Sequence, residues 1–438
     1  MTAIQLRALL ALTLYKVSLD VAYYALVPSL EYYAVSSEVK IDVVKVIESY
    51  LLAWIVFVVM PKSSRRLSNV LLWLLISLSY IPMLTIYALN DESRAFVYMT
   101  TGFWLSVLML VRVMPTVKIR AIRPSQARIV YVGLFVITIA ISGAMAHELL
   151  SIASIASIAD VYLTRDAFLE AELPLRGYYL HWLATALNPV LFGLCVVKKR
   201  WTLALGVSLV QLATASVVGM KTYYVILPLA LGLMWVMKRK NPLAWMEVGL
   251  AAMTCAAGVV DYIFESPWAF LFGTVRGLYV PAQLTFFYYD FFSTHQLIPF
   301  AYLFNFFLKI AVVDYPYEMD PANLIGKLYF GSPDIAAVTG VVGDGYMNLG
   351  WLGLVLWAVW LSMILKLFDS CAKDLDVRIG AAGVVMAGLS ISGTYLVRSM
   401  ITGGVGLSLI LLYLLRSAEA RNTRALAAAI GEPEAEPA

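Results

Sequence analysis

The stretch LRALLALTLYKVSLDVAYYALV, residues 6–27, decides the fold class. At about 1.5 Å of rise per helical residue, this apolar run is long enough to cross a hydrocarbon layer roughly 30 Å thick. Lys16 and Asp20 lie one helical turn apart within it, and we expect them to pair, because an unpaired charge inside a membrane costs roughly 2.5–3.5 kcal/mol. No small-residue cleavage site follows, so the run is predicted to be a retained span and not a signal peptide.

Similar apolar runs recur along the whole chain. It has 438 residues, of which 61% are hydrophobic and 14% charged, and nothing in it indicates a soluble domain. The sequence predicts an all-α polytopic membrane protein with about 12 transmembrane helices in a single domain, residues 1–415. The predicted spans are 6–28, 41–60, 69–89, 95–113, 129–147, 178–197, 201–218, 222–237, 244–262, 349–368, 379–398 and 401–415.

The distribution of charge predicts the orientation. If both termini are cytoplasmic, the cytoplasmic segments hold roughly two thirds of the 32 Lys and Arg residues, and the acidic residues show the opposite bias. Residues 416–438 end in the acidic, proline-containing sequence GEPEAEPA and are predicted to be a disordered cytoplasmic tail.

Two outer segments are long, 148–177 and 262–348, and loops of such length in compact proteins are usually functional. The second is nearly as apolar as the spans, so we expect it to be helical and to lie at the membrane interface.

Within that second loop, the stretch GTVRGLYVPAQLTFFYYDFFSTHQ, residues 273–296, combines a cation with many aromatic residues. Pro281 suits the first position of a helix. Arg276 would then lie just before free backbone N–H groups that favour a phosphate. Gln283, Asp290 and Thr294 would form a polar stripe among aromatic faces that suit sugar rings. The alternative is an interfacial helix whose aromatic residues and single arginine only anchor it in the membrane.

Four basic residues fall at predicted outer ends of spans, where the positive-inside rule disfavours them. One cation in such a place is typical of an anchor, but four together favour an anionic ligand such as a lipid diphosphate. They are Arg176, Lys221, Arg276 and Arg398.

The stretch TGVVGDGYMNLGWLGLVLWAVW, residues 339–360, is the other dense signal. Asp344 either caps the following helix or, with Tyr346 and Asn348, orients a hydroxyl nucleophile. His295 is a further candidate base. The spacing of the three histidines matches no zinc pattern, so no metal site is predicted.

The order of these features resembles the bacterial O-antigen polymerases, the Wzy-type oligosaccharide repeat-unit polymerases. The resemblance covers mainly residues 215–370, where GMKTYY, RGLYVPAQLTFFYYDFF and GDGYMNLGWLG follow one another. Lys221 departs from the family pattern, in which that turn has an arginine, so a bidentate phosphate contact there is not expected.

The resemblance implies a metal-independent, cofactor-free GT-C-like glycosyltransferase of the bacterial inner membrane, with its active site facing the periplasm. It would transfer a glycan from undecaprenyl diphosphate to the terminal sugar of a second lipid-linked repeat unit. Its implied partners are these two lipid-linked oligosaccharides, membrane lipids and a chain-length regulator (a copolymerase), and no nucleic acid.

The implied site residues fall into three groups. Those that would stabilise the diphosphate are Arg276, Arg398, Arg176 and Lys221. The candidate bases are Asp344, Asp290 and His295, in that order. Those that would contact the glycan are Tyr279, Tyr289, Tyr346 and Asn348.

Two alternatives stay open. An O-antigen ligase would share this layout but use lipid A core as its acceptor, and it would favour an essential outer-loop histidine. A transporter or flippase would use the Lys16/Asp20 pair for ion coupling, although the spacing of the spans shows no repeated half.

Overall fold

The computed structural model describes residues 2–30, 39–126, 129–130, 132–133, 136, 174–310 and 312–430. These residues are predominantly helical and contain no strand. Eight of their helices are long and apolar enough to cross a membrane. The chain is therefore an all-α polytopic membrane protein, as the composition predicts.

Fourteen helices of the described residues carry labels in chain order. The first eight are α1 (Ala3–Leu26), α2 (Val43–Val59), α3 (Leu67–Leu89), α4 (Arg94–Val113), α5 (Tyr178–Val197), α6 (Trp201–Val218), α7 (Lys221–Val236) and α8 (Pro242–Phe264). The helix α9 consists of three consecutive segments, Trp268–Phe270, Leu271–Tyr279 and Val280–Thr294. The remaining five are α10 (Pro321–Phe330), α11 (Val341–Cys371), α12 (Val377–Gly393), α13 (Leu396–Ile401) and α14 (Val405–Ile430).

Each predicted span coincides with a helix, with two exceptions. The span 379–398 crosses the break between α12 and α13, and 129–147 lies almost entirely outside the described residues. Among the described helices, α7 and α12 are apolar but shorter than a full span. The predicted number of about 12 spans is therefore still a prediction.

The bundle is organised around α3, which is 94% buried over its most apolar window and is the most enclosed of the spanning helices described. The helix α1 packs against α8, α4 packs against α11, and α12 packs against α3, α5 and α7. Gly193 of α5 lies so close to α12 that a Cβ atom there would be 2.7 Å from the Cβ atom of Ala382. Small residues at such a crossing allow two membrane helices to approach closely.

The turns of the bundle lie at two ends. The Lys221 end contains the turns around 90–93, 219–220, 265–267 and 394–404, and the Arg416 end contains those around 60–66, 198–200, 237–241 and 372–376. Contacts across each end support this grouping. Tyr23 bonds Asn90 at the Lys221 end, and Ser68 bonds Asp369 at the Arg416 end.

The helix α11 is broken near its start. Leu349 and Gly350 have non-helical backbone angles, and Gly350 has φ +57° and ψ −127°, a region that is essentially restricted to glycine. The break folds residues 341–348 back against the rest of α11. The two parts approach so closely that a Cβ atom added to Gly353 would lie 1.8 Å from the carbonyl oxygen of Gly345. The glycines of GDGYMNLGWLG therefore form a compact helical hairpin, whereas the sequence predicted one span from residue 349.

Much of the predicted loop 262–348 is helical, since it contains the end of α8, all of α9 and α10, and the start of α11. Of the loop 148–177, residues 148–173 lie outside the described residues. The helix α14 continues to Ile430, beyond residue 415, where the predicted membrane domain ends.

Candidate functional site

Two of the predicted cations meet at one aromatic ring at the Lys221 end. Gly219 ends α6 in the left-handed conformation, with φ +66°, and α7 then begins at Lys221. The Nζ atom of Lys221 lies 3.6 Å from the centre of the Phe272 ring, and the Cζ atom of Arg276 lies 5.7 Å from it. The ring holds both cations by cation–π attraction. The fold thus brings together residues that are far apart in sequence.

The backbone around Arg276 differs from the expectation. Pro281 does not start a helix, because the chain is already helical from Trp268, and Arg276 lies within a π-helical segment, Leu271–Tyr279. Backbone N–H groups inside a continuous helix already have partners. The predicted anion cradle at a helix start is therefore wrong.

Arg398 lies at the same end, in the short helix α13. Its guanidinium lies beside the hydroxyl of Tyr302 and interacts electrostatically with His181 and Tyr223. The rings of His181 and Tyr223 meet edge to face, with centres 6.0 Å apart. Tyr223 lies two residues after Lys221, so the first turn of α7 carries both Lys221 and a residue that interacts with Arg398.

Asp344 is a buried anchor. Its Oδ2 atom accepts hydrogen bonds from the backbone N–H of Leu396 and the indole N–H of Trp357, both at 2.8 Å. Its Oδ1 atom accepts a bond of 3.2 Å from Asn348, and the residue is only 3% exposed. Leu396 is the first residue of α13. Asp344 therefore caps the helix that carries Arg398, and not its own helix, whose N-cap is Gly340.

The neighbours of Asp344 also have structural contacts. Asn348 is buried, and its side-chain oxygen accepts a bond of 2.6 Å from the backbone N–H of Phe300. Tyr346 is 6% exposed and packs against Phe96 and Tyr289, with ring centres 5.7 and 5.0 Å away. The structure thus brings Asp344, Tyr346 and Asn348 together as predicted, but their side chains are buried.

An aromatic wall lines the same end. Tyr289 stacks on Phe96 with ring centres 4.2 Å apart, and Tyr329 stacks on Phe287 with ring centres 4.3 Å apart. The exposed carboxylate of Asp290 accepts a bond of 2.5 Å from the hydroxyl of Tyr329. We define this aromatic wall as Phe96, Phe287, Tyr289 and Tyr329.

Two other predicted site residues have different surroundings. Tyr279 is fully buried and donates a hydrogen bond of 2.7 Å to the carbonyl oxygen of Leu19, so it contributes to packing against α1 and not to a glycan surface. His295 is exposed at the end of α9 and stacks on Phe291, with ring centres 4.1 Å apart.

Glu92 is a carboxyl group that sequence reasoning missed. It lies in the short turn between α3 and α4, and its Oε1 atom accepts a bond of 2.8 Å from Gln283 of α9. Burial raises the pKa of Glu92 to about 7, and the negative charge of Asp290 adds to this rise while the bond from Gln283 opposes it. The sequence NDESR resembles an ordinary exposed turn, and only the packing of α9 against it reveals an acid with a changed pKa.

The predicted pairing of Lys16 and Asp20 is confirmed, with a distance of 2.6 Å between Nζ and Oδ1. Tyr50 and Thr85 also donate to the Asp20 carboxylate, each at 2.7 Å. A second intramembrane carboxyl group, Glu247, is fully buried and accepts a bond of 2.6 Å from Ser77. It was not predicted, because a single acid in the apolar run of α8 has no sequence partner.

The backbone of Arg176 lies in the helical segment Pro174–Trp182, and its side chain lies outside the described residues. Within the part of the chain that the structure describes, no group of three or more His, Cys, Asp and Glu side chains is placed to hold a metal ion. No model of a known protein family, no curated protein and no solved structure matches this chain.

Proposed function

We propose that the chain is a glycosyltransferase of the O-antigen polymerase type. It moves a glycan from one lipid diphosphate to the terminal sugar of a second lipid-linked repeat unit. The Lys221 end faces the periplasm, and the membrane is the bacterial inner membrane. The observation that carries the proposal is the convergence of Lys221 and Arg276 on Phe272, because two cations held at one ring suit a diphosphate.

The reaction needs these cations in its transition state. An acceptor hydroxyl oxygen attacks the anomeric carbon of the donor glycan, and the bond from that carbon to the diphosphate oxygen breaks. The diphosphate leaves with the electron pair, so its negative charge grows as the bond breaks. Fixed cations stabilise that growing charge. Lys221 and Arg276 serve one diphosphate in this proposal, and Arg398 serves the second lipid carrier.

The proton of the acceptor hydroxyl passes to a carboxylate. Asp344 is unsuited to this role because three donors already occupy its two oxygens. Glu92 is better suited, since only its Oε1 atom is engaged by Gln283 and its pKa of about 7 lies near the working pH of a general base.

The distance between cations and base also favours Glu92. Its partner Gln283 lies about 10 Å along α9 from Arg276, at about 1.5 Å per residue, whereas Asp290 lies about 20 Å along it. The shorter separation suits a donor sugar placed between its diphosphate and the attacking hydroxyl. Asp290 and the partly exposed rings of Phe287, Tyr289 and Tyr329 then contact sugars farther from the reacting bond.

A cellular experiment tests this proposal against its rivals. Bacteria that lack the protein should still display a surface glycan of one repeat unit, since only chain extension is lost. Loss of all surface glycan would instead indicate the flippase. A flippase is the second candidate because the Lys16–Asp20 pair and Glu247 lie within the spanning helices.

A histidine variant separates the polymerase from the ligase. A ligase would require a histidine such as His295, which is exposed on the outer loop. His295→Ala should leave chain extension intact in the polymerase. Loss of function in this variant, with Glu92→Gln active, would favour the ligase.

A further inference from the structure

A cavity of about 530 Å³ lies at the Arg416 end, opposite the proposed catalytic site. It is enclosed by the start of α3, the segment 116–119, the end of α11, the turn 372–376 and one side of α14. Five basic residues line it. They are Arg65, Arg66, Lys118, Lys373 and Arg416.

Two of the three acidic residues that line this cavity, Asp369 and Asp376, are already engaged. Asp369 accepts bonds from the backbone N–H of Ser68 at 2.8 Å and from its hydroxyl at 2.7 Å. Asp376 pairs with Arg378 at 2.5 Å, and Arg378 does not line the cavity. Asp369 therefore caps α3 and Asp376 pairs with another arginine, which leaves Asp374 as the remaining acidic residue against the five lining cations.

None of the five lining cations forms an ion pair with a carboxylate of the described residues. Arg416 is held in place by the carbonyl oxygen of Ser370, to which its Nη1 atom donates at 2.7 Å. Like charges gathered around one concave space repel one another, so an anion that enters the cavity relieves this repulsion.

A second cavity, of about 280 Å³, shares Arg65 and Arg66 with the first. It also has Arg112, but its walls include the apolar side chains of Leu72, Leu108 and Val111. The two arginines thus lie between a cavity with many basic residues and a smaller, more apolar one. A ligand with an anionic head and an apolar chain matches this arrangement.

We propose that these two cavities bind the phosphate headgroup of an anionic phospholipid, with the start of an acyl chain in the smaller cavity. Arginine guanidinium groups bind phosphate oxygens through two parallel hydrogen bonds, which suits Arg65 and Arg66 to this role. The positive-inside rule explains basic residues at this end, but not their arrangement around a cavity. Lys199 and Lys240 at the same end are exposed and line neither cavity.

The binding test uses the purified full-length protein in detergent. Its thermal unfolding temperature is measured during titration with dihexanoyl-phosphatidylglycerol, dihexanoyl-phosphatidylcholine or inorganic phosphate. The expected result is a saturable rise with phosphatidylglycerol and none with phosphatidylcholine. An equal rise with inorganic phosphate would contradict the lipid and assign the cavity to a soluble phosphate compound. Equal responses to the two lipids would overturn the proposal.

Matched variants locate the effect. The double variant Arg66→Gln/Lys373→Gln should bind phosphatidylglycerol at least about ten-fold more weakly, since hydrogen bonds to charged groups contribute about 1.5–3 kcal/mol each. The control Lys199→Gln/Lys240→Gln removes the same charge from exposed residues that line neither cavity, and it should bind like the wild type. Equal loss in both double variants would place the lipid elsewhere. If Arg66→Gln/Lys373→Gln does not fold, the single variant Arg65→Gln takes its place.

Discussion

Asp344 and Leu396 are joined by a hydrogen bond of 2.8 Å that ties the folded-back start of α11 to the first residue of α13. Arg398 lies two positions farther along that helix. The carboxylate therefore influences the proposed site by positioning Arg398. The glycine-rich hairpin of α11 in turn holds this carboxylate in place.

The first prediction concerns Asp344→Asn. An amide can accept through its oxygen, but its nitrogen cannot accept from the N–H groups that now bond the carboxylate. The loss of a buried acceptor should destabilise the protein by about 1–3 kcal/mol. Chain extension should fall because Arg398 is misplaced, and the pH dependence of the remaining activity should be unchanged. A changed pH profile would instead indicate that Asp344 itself exchanges a proton during catalysis.

The second prediction concerns the two cations at Phe272. Lys221→Ala or Arg276→Ala should each lower the rate of glycan transfer by at least about ten-fold, because each removes a charge that stabilises the leaving diphosphate. Their thermal unfolding temperatures should stay near that of the wild type. Lys327→Ala is the matched control, since Lys327 is an exposed cation of α10. An equal loss of activity in Lys327→Ala would contradict a specific contact of Lys221 and Arg276 with the diphosphate. It would instead indicate that any positive charge in this region supports the reaction.

The third prediction concerns the pH dependence of Glu92. As a base, Glu92 must be deprotonated, so transfer activity should rise as the pH increases through about 7. Glu92→Gln should lower activity and remove this rise. The groups that act on Glu92 are Gln283, Asp290, Lys45 and Asp91, so their substitution should shift the midpoint. An unchanged midpoint in Glu92→Gln would rule this residue out.

Glu92 also predicts a dependence of stability on pH. Its folded pKa is raised above its ordinary value, so the unfolded chain loses the proton at lower pH than the folded chain. Its contribution to the free energy of unfolding should therefore decrease as the pH rises from about 4.5 to about 7. The variant Glu92→Gln should lack this decrease, and thermal unfolding at several pH values measures it.

The fourth prediction concerns the hairpin. Gly350 has φ +57° and ψ −127°, so Gly350→Ala should destabilise the protein by about 1–3 kcal/mol and lower activity. Gly206→Ala is the control, because Gly206 lies inside α6 with no atom within 4 Å of an added Cβ. That variant should be as stable as the wild type or slightly more stable. Equal losses in both variants would contradict the role of the hairpin.

The spans could be predicted from the sequence because apolar length is a local property. The pairing of Lys16 with Asp20 could be predicted for the same reason, since both lie on one turn of α1. The break at Gly350 could not, because a glycine-rich helix start and a folded-back hairpin share the same sequence pattern. Only the close approach of Gly345 and Gly353 distinguishes the two.

The proposed site was only partly visible in the sequence. The predicted outer position of Lys221 and Arg276 was a usable signal, and the structure adds the shared ring of Phe272. The enclosure of Asp344 and the raised pKa of Glu92 depend on contacts between distant helices. No local pattern encodes such contacts, which is why the sequence ranked Asp344 first and missed Glu92.

The central claim is that this chain extends a glycan on a lipid diphosphate. Its most direct test incubates the purified protein with a single lipid-diphosphate-linked repeat unit and separates the products by size. We expect a ladder of longer glycans that is lost in Arg276→Ala and retained in Lys327→Ala. Unchanged substrate with the folded wild-type protein would contradict it.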